Sequence, residues 1–389
     1  MTEGNHVIKI RSYIYVFVAL SYIFNGGDAM IKATMKDMEM AKHTGTVKTI
    51  KVEDGDVIDC VDIYKQPAFS HPLLKNHKIQ LKPSSYPGGI MTSNNSVLFQ
   101  EWNKKGKCPK GTIPIVRTQV FNPLKPRPII PNQTHYNRSV YSNDIYEHAQ
   151  VSADGGNFLG AQARLNVWNP ATFGTEVSSA QIWVVAGRDQ GLNFIQAGWK
   201  VNKGEKDTRF YSYWTRDNYQ STGCYNLDCP GFVQTNHRIA FGAAIEPISK
   251  YDGPQYSIDI TIHKDMKSGN WWLQVHGQEV GYWPPSILTS LANRSTLINW
   301  GGLVVNFQYH GRHTSTQMGS GLFPGEGFGK ASAFWGLGYI DNLGKMRDPE
   351  HLMPYVTKPS CYDLKVGKKN KDFGVHFYYG GPGFSPRCL

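Results

Sequence analysis

The residue best placed to do chemistry in this sequence is Gln196, in the string IQAGW at residues 195–199. Its neighbours are apolar, so a strand would carry its amide toward the interior of a fold. A buried amide can hold a water molecule and polarise a carbonyl group. The alternative interpretation is a buried polar residue that backbone groups satisfy. Aromatic residues and a short cysteine loop surround this position between residues 191 and 235.

Several other active-site patterns are absent from the sequence. It has no G-x-S-x-G, no H-E-x-x-H and no Walker loop, because Pro324 stands where the first Walker glycine of the glycine-rich residues 319–330 would be. Those glycines suit turns and close strand approach instead. No cofactor is predicted.

The six cysteines are an even set, which in an oxidising compartment predicts disulfides. Six cysteines allow 15 pairings, and their spacing favours three local ones. The favoured pairs are Cys60 with Cys108, Cys224 with Cys229, and Cys361 with Cys388. A zinc site is disfavoured because the C-x4-C string lacks a second close pair, and the H-x-x-H string of His310 and His313 lies in a polar turn beside glycine.

The first 29 residues resemble a secretory signal peptide, since Lys9 and Arg11 precede an apolar run and small residues follow it. The run of 12 residues is too short to span a bilayer, and no other segment predicts a stable membrane anchor. Four N-glycosylation sequons fit the same secretory route. They are Asn94, Asn132, Asn137 and Asn293.

The net charge of +11 is spread along the chain. Residues 1–148 hold 19 Lys and Arg against 12 Asp and Glu, and the remainder holds 22 against 18. The one dense basic cluster of the later part, residues 365–371, is typical of a solvated loop. The sequence therefore predicts no nucleic-acid partner.

Two segments before residue 148 have distinct characters. Residues 48–61 alternate like a strand around an Asp54-Gly55 turn, which predicts a hairpin in a small domain that the Cys60–Cys108 bridge would close. Residues 121–134 contain four prolines, which predicts an exposed linker that proteases could cut. We therefore predict a domain over 30–120, a linker with the processing site over 121–147, and a second domain over 148–389.

The second domain has the texture of an all-β fold. Short runs rich in Val, Ile, Tyr, Phe and Trp alternate with Gly, Asn, Asp and Ser clusters, and residues 238–245 are one of these predicted strands. The best helical window, residues 285–292, is only two turns long. This pattern predicts an antiparallel β-sandwich or barrel. Its aromatic residues would line a groove or simply fill the core.

Longer strings carry a family resemblance. The chain resembles neprosin and its plant relatives in DCVDIYKQPAFSHPLLKNHKIQLKPSSYP (59–87), IQAGW (195–199), TGCYNLDCPGFVQTN (222–236), GNWWLQV (269–275), VGYWPPSI (280–287), NWGG (299–302) and TSTQMGSGLFPGEGFGKAS (314–332). The resemblance implies a secreted precursor with an N-terminal activation domain and a β-sandwich glutamic peptidase domain. For active members it implies cleavage after proline at acidic pH.

The family mechanism uses two glutamates, one of which holds a proton while the other accepts a proton from the attacking water. Transferred by motif, the first position is Gln196 and the second, after W-G-G, is Leu303. Glutamine still offers hydrogen bonds, as in a fungal group of glutamic peptidases that pairs Gln with Glu. Leucine cannot act as a base. The carboxylates of Asp217, Glu246, Glu279 and Glu326 have no spacing that places them opposite Gln196.

The sequence thus favours a neprosin-like protein that has lost its peptidase chemistry and retains a groove for extended, proline-rich peptides. The alternative is an active acid endopeptidase that cleaves after proline with Gln196 and a relocated carboxylate. A carbohydrate-binding sandwich is a weaker alternative that rests on fold analogy. The expected partners are such peptides and the protein's own activation domain. The expected location is extracellular or in the cell wall, with the vacuole as an alternative.

Overall fold

The computed structural model describes residues 42–53, 55–90, 98–117, 145–202, 207–307 and 311–389. The chain divides into two compact units, and the second unit, Thr44–Val116 with Pro123–Leu389, holds all the strands given below. The predicted signal peptide, most of the predicted linker, and the sequons at Asn94, Asn132 and Asn137 lie outside the described residues.

The described part of the chain is built from 19 β-strands. They are β1 Thr46–Lys51, β2 Val57–Asp62, β3 Thr112–Val116, β4 Tyr146–Phe158, β5 Gly160–Asn166, β6 Val177–Ala186, β7 Asn193–Asn202, β8 Arg209–Thr215, β9 Cys224–Tyr225, β10 Val233–Gln234, β11 Ser257–Lys264, β12 Trp271–Val275, β13 Gln278–Trp283, β14 Ser295–Val305, β15 Ser332–Ile340, β16 Met346–Arg347, β17 Met353–Val356, β18 Asp363–Val366 and β19 His376–Gly380.

Short 3-10 turns are the helical elements of the described residues. They are Ile63–Lys65, Pro67–Ser70, Pro72–Leu74, Glu101–Lys104, Asp189–Gly191, Pro285–Ile287, Ser290–Ala292 and Pro324–Glu326. The predicted helical window at 285–292 is therefore two such turns. The first turn begins with Pro285 and the second with Ser290.

The strands form three sheets, and every pairing between neighbouring strands is antiparallel. A small sheet has the order β1-β2-β3. A seven-stranded sheet has the order β17-β4-β14-β6-β7-β8-β9. A nine-stranded sheet has the order β10-β13-β12-β11-β5-β15-β19-β18, with β16 on β15. The prediction of an antiparallel β-sandwich behind a small disulfide-tied domain is confirmed.

The core of the sandwich lies between the two large sheets. Each strand directs alternate side chains inward, so Ile182 and Ile195 of one sheet belong to the same buried cluster as Ile260 and Phe334 of the other. Two inward tryptophans also tie the sheets together by hydrogen bonds. The indole of Trp199 donates to the Asn166 carbonyl at 2.9 Å, and that of Trp300 donates to the Gln162 carbonyl at 3.1 Å.

The first predicted hairpin is confirmed. Strands β1 and β2 pair from Thr46 with Val61 to Lys51 with Val57, and the Val52 amide donates to the Asp56 carbonyl at the turn. The Cys60–Cys108 disulfide closes this N-terminal subdomain (Thr44–Val116), and the other two predicted disulfides, Cys224–Cys229 and Cys361–Cys388, are also present.

One predicted strand is wrong. Residues 238–245 form no continuous strand; they make isolated bridges, such as Gln100 with Ile245 and Arg209 with Ala244. The apolar residues of this segment are buried against the N-terminal subdomain, for example Ala240 and Ala243 against Trp102. The segment is therefore apolar because it lies under a neighbouring subdomain, and such burial does not need a ladder.

We expect Trp300→Phe to lower the free energy of unfolding by about 2–4 kcal/mol. The change removes the bond to the Gln162 carbonyl and leaves a void in a fully buried position. Urea unfolding measures the effect. Trp335→Phe is the control, because Trp335 is only half-buried. Equal losses in the two variants would contradict the importance of the inter-sheet bond.

Candidate functional site

Gln196 and Leu303 lie on the same face of the seven-stranded sheet, which we call the site face. It is formed by alternate residues of five neighbouring strands and points away from the other large sheet. Cross-strand pairing arranges these residues in three rows. The rows are His148, Leu303, Ser179 and Lys200; Gln150, Gly301, Gln181, Gly198 and Tyr211; and Ser152, Asn299, Trp183, Gln196 and Tyr213.

The two predicted site residues are neither a cross-strand pair nor neighbours, because Gln196 lies on β7 and Leu303 on β14, with β6 between them. Gln196 lies opposite Trp183 on β6, whereas Leu303 lies opposite Ser179, four residues along the same strand. Gln181 occupies the row between them. The site face therefore carries both positions but separates them by one strand and by roughly 13 Å along it, and the residue of β14 in the row of Gln196 is Asn299.

Tyr211 connects these side chains. The Gln196 amide donates to the Tyr211 hydroxyl at 3.0 Å, and this hydroxyl donates to Oε1 of Gln181 at 2.7 Å. Burial raises the pKa of Tyr211, and hydrogen bonding to Ser179 and Gln196 opposes that rise. The hydroxyl thus remains a neutral donor and acceptor that orients both glutamine amides.

Two glycines leave room on either side of Gln181. A Cβ atom on Gly198 would lie 1.9 Å from the Ala180 carbonyl oxygen and 2.7 Å from the Gln181 Cβ. A Cβ atom on Gly301 would lie 2.5 Å from the Ala149 carbonyl oxygen. These clashes explain why the strings IQAGW and NWGG contain glycine: the backbones approach too closely for a side chain.

Leu303 lines a small cavity in the site face, wide enough for about one water molecule. The other lining residues are Tyr146, Val177, Ser179, Lys200, Tyr211, Tyr225 and Val305. Lys200 is 6% exposed, and its ammonium lies 4.7 Å from the centroid of the Tyr225 ring. The environment of the second dyad position is therefore aromatic and cationic.

Aromatic rings form one wall of the site face. Phe194 stacks on Tyr213 at 5.9 Å, and Tyr213 meets Tyr225 edge-on at 4.7 Å between centroids. Asp217 holds the loop beside them by accepting hydrogen bonds from the amides of Ser221 and Thr222. The Cys224–Cys229 bridge begins at β9, next to Tyr225.

His148 is the neighbour of Leu303 on β4. It is 3% exposed, and its Nδ1 atom has no hydrogen-bond partner. Burial lowers the pKa of His148 to about 4, because a charged imidazolium loses hydration there. The side chain is therefore neutral at pH 7.

The four carboxylates that could have replaced the missing catalytic base make other contacts or lie in other elements. Glu246 pairs with Lys104 at 2.6 Å, Glu279 accepts from Tyr86, and Asp217 stabilises its own loop. Glu326 belongs to the 3-10 turn Pro324–Glu326. None of these residues is hydrogen-bonded to Gln196 in the described part of the chain.

Sequence reasoning missed two buried carboxylates, Glu147 and Glu176. An oxygen of Glu147 lies 2.8 Å from Nε2 of His313, and the other accepts from the Asn306 side-chain amide at 2.9 Å. Glu176 accepts from the Phe307 amide at 2.9 Å and from the Thr314 hydroxyl. They raise the pKa of Tyr362 further, after burial. Because Glu147 alternates with Tyr146 and His148, it points away from the site face.

The described cysteines and His313, which the sequence analysis weighed as zinc ligands, do not form a metal site. His313 lies near Cys361 and Cys388, but these two sulfur atoms are joined as a disulfide, and His313 is bonded to Glu147. His310 lies outside the described residues. Asn293 is exposed, which fits a glycan acceptor, and its glycosylation stays a prediction.

Other site-face residues were also missed, and their signal was present. Gln150, Gln181 and His148 are polar residues at alternate positions of apolar strands, as Gln196 is. Tyr211 and Lys200 gave no such signal, because aromatic and long cationic side chains are common on any strand. Only cross-strand register brings these residues together.

Family models match two parts of the chain. The neprosin model matches residues 174–382, which is more than half of the sequence, and the neprosin activation peptide model matches residues 49–152. The chain belongs to the neprosin family. The activation peptide match includes the N-terminal subdomain from β1 onward and reaches into β4.

Two peptidases are among the solved structures that match this chain. One is the crystal structure of scytalido-glutamic peptidase with a peptide-based transition-state analogue. It is 12% identical in sequence, the match covers 61% of this neprosin-family chain and 97% of that chain, and the TM-score is 0.34. The other is SCP-B of the eqolisin family in complex with the tripeptide Ala-Ile-His. It is 12% identical in sequence, the match covers 60% of this chain and 96% of that chain, and the TM-score is 0.33.

The buried His148 predicts a loss of stability in acid. His148 binds a proton near pH 6.5 in the unfolded chain but only near pH 4 in the folded neprosin-family protein. The free energy of unfolding therefore falls as the pH is lowered from about 6.5 to about 4. We expect His148→Gln to remove up to about 3 kcal/mol of the loss between pH 7 and pH 4.

Urea unfolding at pH 7 and at pH 4 measures this effect. His351→Gln is the control, because His351 is exposed. His263 shares the property, since burial lowers its pKa to about 4, so a smaller acid dependence should remain in His148→Gln. An unchanged acid dependence in this variant would refute the assignment.

Proposed function

We propose that this protein is a secreted member of the neprosin family that is impaired in peptide-bond hydrolysis and binds extended peptides on its site face. One observation carries the proposal: the two family dyad positions hold Gln196 and Leu303, and the Gln196 amide is bonded to Tyr211. No carboxylate of the described residues has been found in the site-face rows that join the two positions.

The chemical argument concerns the proton of the attacking water. General acid–base catalysis contributes roughly 10² to 10⁴ to a rate, and a dyad that acts as a unit loses more when both members are gone. Leu303 has no atom that accepts a proton, and the amide of Gln196 is not basic at any pH where proteins fold. Lys200 lines the same cavity and adds positive charge where a base is needed.

The binding argument concerns buried hydrogen-bonding atoms of the site face that have no partner. Nε2 and Oε1 of Gln150, Nε2 of Gln181 and Oε1 of Gln196 are buried without a partner. Such atoms are costly unless something satisfies them. A peptide in extended form offers alternating N–H and C=O groups that match these amides, and the nearby tyrosine rings suit proline.

The wider function follows from the sequence features. The predicted signal peptide and the sequons support secretion to the extracellular space or cell wall. We also propose that the chain is processed within residues 121–147, so that the activation domain over 30–120 is separated covalently from the peptidase-type domain over 148–389. Extended, proline-rich peptides and the activation domain are the proposed partners.

We expect the purified protein at pH 3 to leave a proline-containing peptide uncut. The combined substitutions Gln196→Glu and Leu303→Glu should create measurable cleavage, because they restore two carboxylates to the site face. Adding Lys200→Gln should raise the rate further, since Lys200 would otherwise pair with the carboxylate introduced by Leu303→Glu. Mass spectrometry of the products measures cleavage.

The matched control combines Gln196→Glu with Leu303→Gln, which has the same size and no ionisable group. It should stay inactive. Robust acid cleavage by the unmodified protein would overturn the proposal and restore an active endopeptidase with another base.

Binding is tested separately with a synthetic proline-containing decapeptide and fluorescence anisotropy. We expect Gln181→Leu to weaken binding at least tenfold, because it removes the central amide of the site face, whereas Gln220→Leu on the surface should leave binding unchanged. If neither the unmodified protein nor the control binds the peptide, the binding half of the proposal is wrong.

A further inference from the structure

The N-terminal subdomain (Thr44–Val116) shares its hydrophobic core with the sandwich. Its buried residues Ile63, Leu74 and Ile113 belong to the same cluster as Trp272 and Tyr282 of the nine-stranded sheet. Trp102 packs with Ala240 and Ala243 in a second cluster. A subdomain of this size buries little core alone, so these contacts are part of its own stability.

Two buried glutamines pair with the sandwich backbone in the manner of strand residues. Nε2 of Gln66 donates to the Gln234 carbonyl at 3.1 Å, and its Oε1 accepts from the Gln234 amide at 2.8 Å. Gln100 makes the same pair of bonds with Ala240, both at 2.7 Å. Separation would leave two backbone positions in apolar surroundings without partners.

A third anchor is Asp265, at the end of the hairpin between β11 and β12. It accepts hydrogen bonds from the Gln80 amide group and the Ser84 backbone amide, both at 2.8 Å. It has no exposed surface. Backbone contacts extend the anchor, since the Gly88 amide donates to the Gly344 carbonyl at 2.9 Å and Gly88 accepts from Met346 at 2.8 Å.

These anchors lie away from the site face. Residues 77–86 lie over the outer side of the nine-stranded sheet, where His77 and Gln80 bond to Tyr282 and the Tyr86 ring contacts His263. The site face belongs to the other sheet. The subdomain does reach the edge of the site face at one point, where Nη1 of Arg209, in one row with Lys200, lies 2.6 Å from an oxygen of Asp56.

We infer that the N-terminal subdomain is a permanent noncovalent subunit of this protein, which stays bound after the chain is cut between residues 117 and 145. The association is noncovalent because the Cys60–Cys108 bridge lies inside the subdomain and the other two bridges lie inside the sandwich. The subdomain covers apolar surface of the sandwich, such as Trp272 and Tyr282, that would otherwise be exposed to water. The inference does not depend on the proposed loss of catalysis.

The test uses the full chain with a site for a specific protease inserted within residues 121–147. After complete cutting, we expect both fragments to elute together from a size-exclusion column at 1 µM and pH 7, with a melting temperature within a few degrees of the uncut protein. Elution of two separate folded fragments would overturn the inference. Precipitation of the sandwich fragment alone, with the N-terminal fragment left in solution, would overturn it too.

A matched pair of variants tests the interface. Gln100→Glu keeps the shape of the side chain but removes the amide donor to the Ala240 carbonyl, and we expect the cut fragments to dissociate at least tenfold faster. Gln220→Glu, on an exposed side chain, should leave the rate unchanged. If Gln100→Glu does not fold, Gln66→Glu tests the same step at Gln234. Equal rates for the interface variant and the control would refute the role of these bonds.

Discussion

The hydrogen bonds of two tryptophans across the sandwich determine where the site face lies. Trp199 and Trp300 point inward and bond to carbonyls of β5, which holds β7 and β14 against the second sheet. Because side chains alternate along a strand, fixing Trp199 inward fixes Gln196 outward, and fixing Trp300 inward does the same for Leu303. A slip of one residue on either strand would bury the site positions in the wrong layer. The inter-sheet bonds therefore secure the register that any chemistry at these positions requires.

The electrostatics of the site face differ from those of a carboxylate dyad. A dyad is negative and works best in acid, where one of its two protons is retained. In the described residues, the polar side chains of the site face include neutral amides, a neutral imidazole and the ammonium of Lys200. Acidification would add a charge to the buried imidazole of His148 and would weaken the fold. The site face thus lacks carboxylates at Gln196 and Leu303, the two positions on which the family mechanism depends.

Local sequence patterns predict much of the architecture but only part of the site. The hairpin around Asp54-Gly55, the three short-range disulfides and the alternation of Gln196 depend on neighbours in sequence, so the sequence predicts them. The positions of Gln181 and Tyr211 depend on which strands pair and in which register, and the sequence of a single strand does not determine either. Residues 238–245 show the opposite error, since burial under another subdomain produces the apolar pattern of a strand.

The N-terminal subdomain completes this account, because it explains apolar surface that the sandwich alone would expose. Trp272 and Tyr282 are fully buried although they lie on the outer side of their sheet, in one row with His263. Edge and outer-face residues of this size normally make a sheet prone to association. Polar pairing by Gln66 and Gln100 then fixes the register of the cover, as buried amides do when both of their groups are satisfied. The sandwich and the subdomain are in this respect one folding unit.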